Sequence, residues 1–398
     1  MQNSNRRSIR LVQISLCLLC QLALLTAATL HTNAKNGLPQ SENFGFGARI
    51  DPWGKQVDIA LEAASANALH WIGVDFDWSR HWPESNSTLD LTGIDHVMRF
   101  AVQHDMAILL SITNAPTWAK STAGPDPEIT AGLVTQFMRL YPKAVKAIEL
   151  FPAANTEAGW GAPPDPGAYI RLFQATSAVI HDADNGPVLI AAGLVPVSSS
   201  ISRLDIDDLE FLQQLYDEGA AEIMPVISVR FTELSGDPLA FPREDGDTTL
   251  RRYELVRNQM LRNRHNGGHI WVTGFSWPAG DPNKHARALL DAQSERESME
   301  NNQSHWLSHA LQIMKSQLYL GAAFHDCLNP PAVTGQPSSA QGCLISTDEG
   351  KTHIHPALTS VGYMNALAEK QQSLGSNSGL ENAANRFDLI SFWKAISP

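Results

Sequence analysis

Short runs of apolar and β-branched residues recur along the chain. Longer stretches with apolar positions at helical spacing separate them. Read as strands, the runs are Phe44–Ile50, His70–Trp78, Ala107–Thr113, Ala147–Phe151, Pro187–Gly193, Met224–Phe231, His269–Phe275 and Gly321–Asp326. The intervening periodicity predicts helices over Gly54–Ala68, Ile94–His104, Ile129–Tyr141, Pro166–Asp182, Asp207–Gly219, Thr248–Asn263 and Gln303–Leu318. In the second of these, Ile94, Val97, Phe100, Ala101 and His104 share one face at a period near 3.6. Strand and helix in strict alternation imply parallel βαβ units. Eight such units suit a closed (β/α)8 barrel, an α/β fold of the TIM type, as one domain over residues 40–370.

The two ends read differently. Arg6, Arg7 and Arg10 precede an apolar run from Leu11 to Ala28, the charge and hydropathy order of a signal peptide or signal anchor over residues 1–35. Gln13 and Gln21 weaken the run as a membrane span. Both readings place the body outside the cytoplasm, and membrane attachment is expected only through an uncleaved anchor. At the other end, Gly375–Gly379 opens a linker-like tail over 371–398.

Composition narrows the partners. The 398 residues hold 41 acids against 29 Lys and Arg, a formal charge of −12. Nucleic acid and anionic membrane surfaces are therefore poor partners, since phosphate binding needs a basic footprint. No Gly-x-Gly-x-x-Gly follows an early strand and no Gly-x4-Gly-Lys-Ser/Thr loop occurs, so no nucleotide cofactor is expected. His353 and His355 lack an evident third ligand, and no metal is expected either. Cys17 and Cys20 belong to the signal. Cys327 and Cys343 lie in the body, where an oxidising compartment permits a disulfide; two free thiols are the alternative.

Barrel active sites are built at the C-terminal ends of the strands. Those ends carry Asp75-Phe-Asp77-Trp78, Asn114 to Trp118, Phe151 to Trp160, Val229-Arg230-Phe231, Gly274 to Trp277 and His325-Asp326. Trp78, Trp118, Trp160 and Trp277, four of the 10 Trp, follow strands. An indole at a groove rim offers a flat face to a sugar ring, or it plugs the barrel top; both readings stand. Asp75 and Asp77 flank Phe76 and point the same way. Glu149 lies on the fourth strand, below the rim.

The wording of these segments resembles clan A glycoside hydrolases, near family 39 and the cellulase-like barrels. "WIGVDFDWSRHWP" is similar to that group's second-strand motif and "NAPTWA" to its third-strand end. "AIELFPAANTEAGWGAPPDPGAYIRLFQA", "HIWVTGFSWPAG" and "GCLISTDEGKTHIHPAL" resemble its fourth-strand, seventh-strand and closing segments. The match runs from about Phe44 to Leu367 with the strands in order.

The resemblance implies a retaining pair of glutamates, about 5–5.5 Å apart, on the fourth and seventh strands. Their matching positions do not carry them. The family's Asn-Glu is Pro152-Ala153, the seventh-strand Glu is Gly274, and the second-strand Arg is Gly73. Neither Ala nor Gly can donate a proton or attack an anomeric carbon. The expectation is an exported, non-catalytic carbohydrate-binding barrel, with Trp78, Trp118, Trp160 and Trp277 stacking and Asn155 and Arg230 hydrogen-bonding hydroxyls or an acidic sugar. One alternative is an active glycosidase with relocated carboxylates such as Asp77 and Glu157, which an inverting mechanism tolerates at about 6.5–9.5 Å. A second is a protein-binding scaffold.

Overall fold

The computed structural model describes residues 44–362, apart from 184–185, 198–203, 232–233, 235–236, 243–247, 278–291, 333–341 and 349–350. Residues 1–35 and 371–398, expected as signal and tail, lie outside the described residues.

Eight parallel strands close into a barrel. They are β1 (Gly45–Ile50), β2 (Trp71–Asp77), β3 (Ala107–Thr113), β4 (Val145–Leu150), β5 (Val188–Leu194), β6 (Val226–Phe231), β7 (His269–Phe275) and β8 (Leu320–His325). Each strand pairs with its neighbours in sequence, and β1 closes on β8. The helices between them are α1 (Val57–Ala66), α2 (Thr92–Gln103), α3 (Pro127–Leu140), α4 (Pro166–His181), α5 (Asp208–Asp217), α6 (Tyr253–Arg262) and α7 (Ala292–Lys315). The expected single-domain (β/α)8 architecture is the one observed.

Local chemistry sets where helices begin. The Asp126 carboxylate accepts from Ile129 N at 3.0 Å, and Asp165 accepts from Ala168 N at 2.9 Å. In both, proline follows as the first helical residue, where its missing N–H is no loss. The two largest departures from the sequence reading have local causes. The Thr248–Asn263 stretch is a 3-10 turn, Leu250–Arg252, before α6. Helix α7 starts at Ala292 instead of Gln303, because its first turns are polar and give no periodicity to read.

Strand side chains alternate between two cores. Ile72, Val74 and Phe76 of β2 pack outward among the helices. Trp71 points into the lumen, where Leu109, Ala147, Ile190, Val226, Trp271, Ala322 and Phe324 form an apolar floor. Trp71 meets Trp271 edge-on, with ring centroids 5.3 Å apart. Above this floor the lumen turns polar, and that change of layer positions the site.

Beyond β8, the disulfide between Cys327 and Cys343 is formed. It ties the strand end to a hairpin of β9 (Ile345–Asp348) and β10 (Lys351–Ile354). Leu344 N also donates to Cys327 O at 3.0 Å. Among the described residues, no helix is long and apolar enough to cross a membrane. Closing a 16-residue separation is worth about 3 kcal/mol in the chain-entropy account. The Cys327→Ser/Cys343→Ser double variant should therefore melt several degrees lower than wild type. Reductant should lower the wild-type Tm similarly and leave the variant unmoved.

Candidate functional site

Six strands send polar side chains into the upper lumen. Glu149 of β4 is fully buried. Its Oε2 accepts from Ser111 Oγ at 2.5 Å, and its Oε1 accepts from Ser228 Oγ at 2.7 Å and Thr273 Oγ1 at 2.5 Å. Arg230 Nη2 reaches Glu149 Oε2 at 3.3 Å and Asp75 Oδ1 at 3.0 Å. Arg49 of β1 forks onto Asp75 through Nε, at 3.2 Å, and Nη2, and its Nη1 donates to Thr273 O at 2.8 Å. Two guanidiniums and two carboxylates thus share one network with three hydroxyls.

The electrostatics follow from that arrangement. Desolvation alone would raise the Asp75 carboxyl, but Arg49 and Arg230 outweigh it and hold it at about 2. Asp75 is the outward end of the network: its side chain is 44% exposed, against 13% for Arg230 and 0% for Glu149. Glu149 is likewise shifted down, desolvation being overcome by Arg230 and Arg49 and by the hydroxyl donors. Asp326, immediately after β8, behaves oppositely. Desolvation pushes its carboxyl up, and the two guanidiniums only partly offset this.

Two glycines explain how these charges fit. Gly73 pairs in register with Arg49 on the next strand. A Cβ on Gly73 would stand 3.1 Å from Arg49 Cγ and 3.2 Å from its Nη1, so the Arg49 side chain lies across that position. Gly274 is set opposite Arg230 by a register shift between β6 and β7. A Cβ there would stand 2.7 Å from Asp326 Oδ1 and 3.5 Å from Arg230 Cγ. At both positions a charged side chain from the neighbouring strand occupies the space over the glycine.

The same end of the barrel holds strained backbone. Asn114, Phe151, Ala153 and Ala192 have φ of 48°, 45°, 64° and 76°. They sit just after β3, just after β4 and within the end of β5. Left-handed conformations at non-glycine residues cost about 1–3 kcal/mol each and gather where function requires them. Local bonds hold them in place. Ala153 N donates to Gly193 O at 2.8 Å, and Tyr169 Oη donates to Leu150 O at 2.9 Å while accepting from Ala192 N at 2.6 Å.

The expected binding residues fare unequally. Trp78, Trp160 and Trp277 are buried, which corrects the expectation that their faces line a groove. Trp78 packs against Trp118. Trp160 Nε1 donates to Ala123 O at 2.8 Å, and its ring covers Gly124 so closely that no side chain fits there. Trp277 stands edge-on to Phe275 and packs on Trp306. These three are plugs. Asn155 is also corrected: its buried amide donates to Val195 O and Ile206 O and accepts from Val195 N, so it staples a loop. Trp118 is half-exposed, with its Nε1 on Trp82 O at 3.2 Å. Trp82, unremarked in the sequence, pairs edge-on with Trp118 at 5.0 Å and is also half-exposed.

Of the fallback carboxylates, Asp77 caps a short helix through Arg80 N and takes bonds from Ser79 and Asn114. Glu157 is exposed on a helical turn capped by Thr156. Neither belongs to the lumen network. Pro152 and Ala153 form the strained turn after β4, and no carboxyl side chain stands there. Arg230 reaches into the lumen, where its Nη2 contacts Asp75, Glu149 and Ser111. Among the described residues, no three His, Cys, Asp or Glu side chains gather with metal-ligand spacing.

Known structures share this architecture. A family 39 glycoside hydrolase from Bacteroides cellulosilyticus WH2 superposes with a TM-score of 0.56 at 14% identity, over 82% of this chain and 64% of its own. The xylanase 10B of Thermotoga maritima superposes with a TM-score of 0.53 at 12% identity, over 84% of this chain and 97% of its own. What these structures share with the chain is the fold, a closed (β/α)8 barrel. A family 1 β-glucosidase from Thermotoga maritima gives 0.51 at 12% identity, over 81% and 97%. The chain spans under two thirds of the length of the family 39 enzyme. No family model and no curated protein sequence matches the chain.

Two measurements follow. Glu149→Ala leaves the Arg230 guanidinium and three hydroxyls without their shared acceptor, and should destabilise the fold by about 3–5 kcal/mol in denaturant unfolding. Asp75 and Asp326 should shape pH stability in opposite directions. The Asp75 pKa is lowered on folding, so its contribution is full above the unfolded value of 3.8 and fades as pH falls towards 2. That of Asp326 is raised, so its contribution is full below the unfolded value and fades as pH rises through the folded one. Near neutral pH, Asp75→Asn should lower the Tm and Asp326→Asn should raise it.

Proposed function

We propose that the chain is an exported, non-catalytic carbohydrate-binding barrel of glycoside-hydrolase ancestry. The observation that carries this reading is the chemistry at the mouth. After β4 and at the end of β7, where the resemblance puts the reacting glutamates, stand Ala153 and Gly274. Asp75, the half-exposed carboxylate nearby, is held ionised by two guanidiniums and is a poor proton donor at neutral pH. A positioned acid/base is worth about 10²–10⁴-fold by itself, so its loss together with the nucleophile removes ordinary double displacement.

Binding has support of its own. Strained backbone, an exposed carboxylate between guanidiniums and the half-exposed Trp82–Trp118 pair lie at one end of the barrel. Apolar ring faces beside fixed donors and acceptors are what a pyranose presents a need for. Export is supported by the basic-then-apolar N-terminus and by the Cys327–Cys343 disulfide.

A second reading, an active hydrolase with a relocated carboxyl, rests on Asp326, whose raised pKa and place over Gly274 give it the character of an acid. One pair of assays separates the two. The full chain should bind members of a glycan array and release no product from aryl glycosides or polysaccharides. Trp118→Ala should weaken that binding about tenfold, or about 1.4 kcal/mol. Product release by wild type, abolished in Asp326→Asn, would establish the hydrolase instead. An array silent throughout, with no hydrolysis, would favour a protein-binding scaffold.

A further inference from the structure

We infer that His305 and His309, on the outer face of α7, form a binding site for a divalent transition-metal ion of the zinc, nickel or copper class. The inference stands apart from the carbohydrate-binding reading and concerns a different part of the barrel.

The helix creates the pair. Residues four apart on an α-helix lie on the same face, one turn above the other. Leu307, Ala310, Leu311 and Met314 are buried and set the inward face of α7. His305 and His309 fall on the opposite face, the first exposed and the second half-buried. Their ring centroids are 4.0 Å apart and their planes are tilted by 51°, so the rings are not stacked face to face. Two imidazoles bound side by side to one metal, with each nitrogen ~2 Å from it, have centroids on the order of 4–5 Å apart. The observed spacing lies in that range. Between them, Trp306 packs on Trp277 with ring centroids 5.8 Å apart, which anchors this turn of α7 against the chain leaving β7.

The ring nitrogens are available. Among the described residues, no hydrogen bond engages either ring. Histidines on α2 are committed by comparison: a ring nitrogen of His96 lies 2.6 Å from Asp58 Oδ1, and one of His104 lies 3.1 Å from Ser65 Oγ. Burial and the neighbouring His305 hold the His309 ring below its ordinary value, in the neutral form that a metal requires. Asp237, exposed in the loop after β6, faces His309 and places negative charge beside the pair. Its Oδ1 accepts from Leu239 N at 2.7 Å, which fixes the carboxylate in that loop.

The donor set selects the ion. Imidazole nitrogen suits zinc, nickel and copper, whereas calcium and magnesium take oxygen ligands. Among the described residues, no third His, Cys, Asp or Glu joins the pair at ligand spacing. The remaining coordination positions therefore fall to water or to a donor carried by another molecule, the condition of an open site. The overall charge of −12 favours a dication at longer range.

The test is calorimetric titration of the full chain, stripped with a chelator and dialysed, with copper, nickel, zinc and magnesium chlorides in turn. Wild type is compared with His305→Ala, His309→Ala and, as a control, His96→Ala. Neither residue of the pair belongs to the core, and thermal unfolding checks that each variant is folded. Wild type should bind copper, nickel and zinc, copper most tightly, and should not bind magnesium. His305→Ala and His309→Ala should each weaken that binding by about tenfold or more, since loss of even an outer partner of a metal ligand costs that much. His96→Ala should leave it unchanged. Three results would overturn the inference: no binding of copper, nickel or zinc to wild type, binding unchanged in both folded variants of the pair, or magnesium bound as tightly as zinc. The wild-type titrations decide the first and third without any variant, and none of the three bears on whether glycans bind.

Discussion

The structure turns on one buried negative charge. Glu149 sits in the barrel lumen with no contact to solvent, and an ionised carboxylate there is tolerable only if surrounded by donors. Three hydroxyls from β3, β6 and β7 and a guanidinium from β6 supply them. That requirement fixes which residue on each strand faces inward. It also fixes the height at which the lumen changes from the Trp71–Trp271–Phe324 floor to a polar layer. Asp75, Arg49 and Arg230 are then stacked above it as a consequence of charge balance.

Stability alone does not explain why such a layer persists. A buried ion-pair network is often no better than a well-packed apolar core, although breaking it by one member is severe. A fold that needed only stability could have continued the apolar floor to the rim. Instead, charge is carried from the sealed lumen to a half-exposed carboxylate at the mouth, beside the strained turns after β3 and β4 and the end of β5. The layer therefore does what an apolar floor could not: it carries charge from the sealed lumen to the rim.

The fold was largely legible in the sequence because strand–helix alternation is a local signal. All eight strands appear within a few residues of where apolar runs place them. The Asp-Pro starts of α3 and α4 are equally local. The site was less legible. Arg49 and Asp75 are 26 residues apart, Arg230 and Asp75 are 155 apart, and only barrel closure and the β6–β7 register shift bring them together. A trace was present: Arg49 is a lone charge in the otherwise apolar Gly-Phe-Gly-Ala-Arg-Ile strand, and Asp326 ends an apolar one. The tryptophans mislead for the opposite reason. Their position after a strand is local, but whether a loop folds over the ring is not. Trp160 is sealed by the turn through Ala123 and Gly124, some 36 residues before it.

The glycine at 274 closes a door behind itself. A glutamate introduced there would bring its Cβ against the Asp326 carboxylate and then place a second negative charge beside the first. Arg49 lies across Gly73 in the same way, so an arginine at 73 would meet a guanidinium already in place. Neither position can take a larger side chain by a single substitution without displacing the neighbour that occupies its space. The two positions are thereby coupled to their neighbours: a larger side chain at either one requires a second change in the strand beside it.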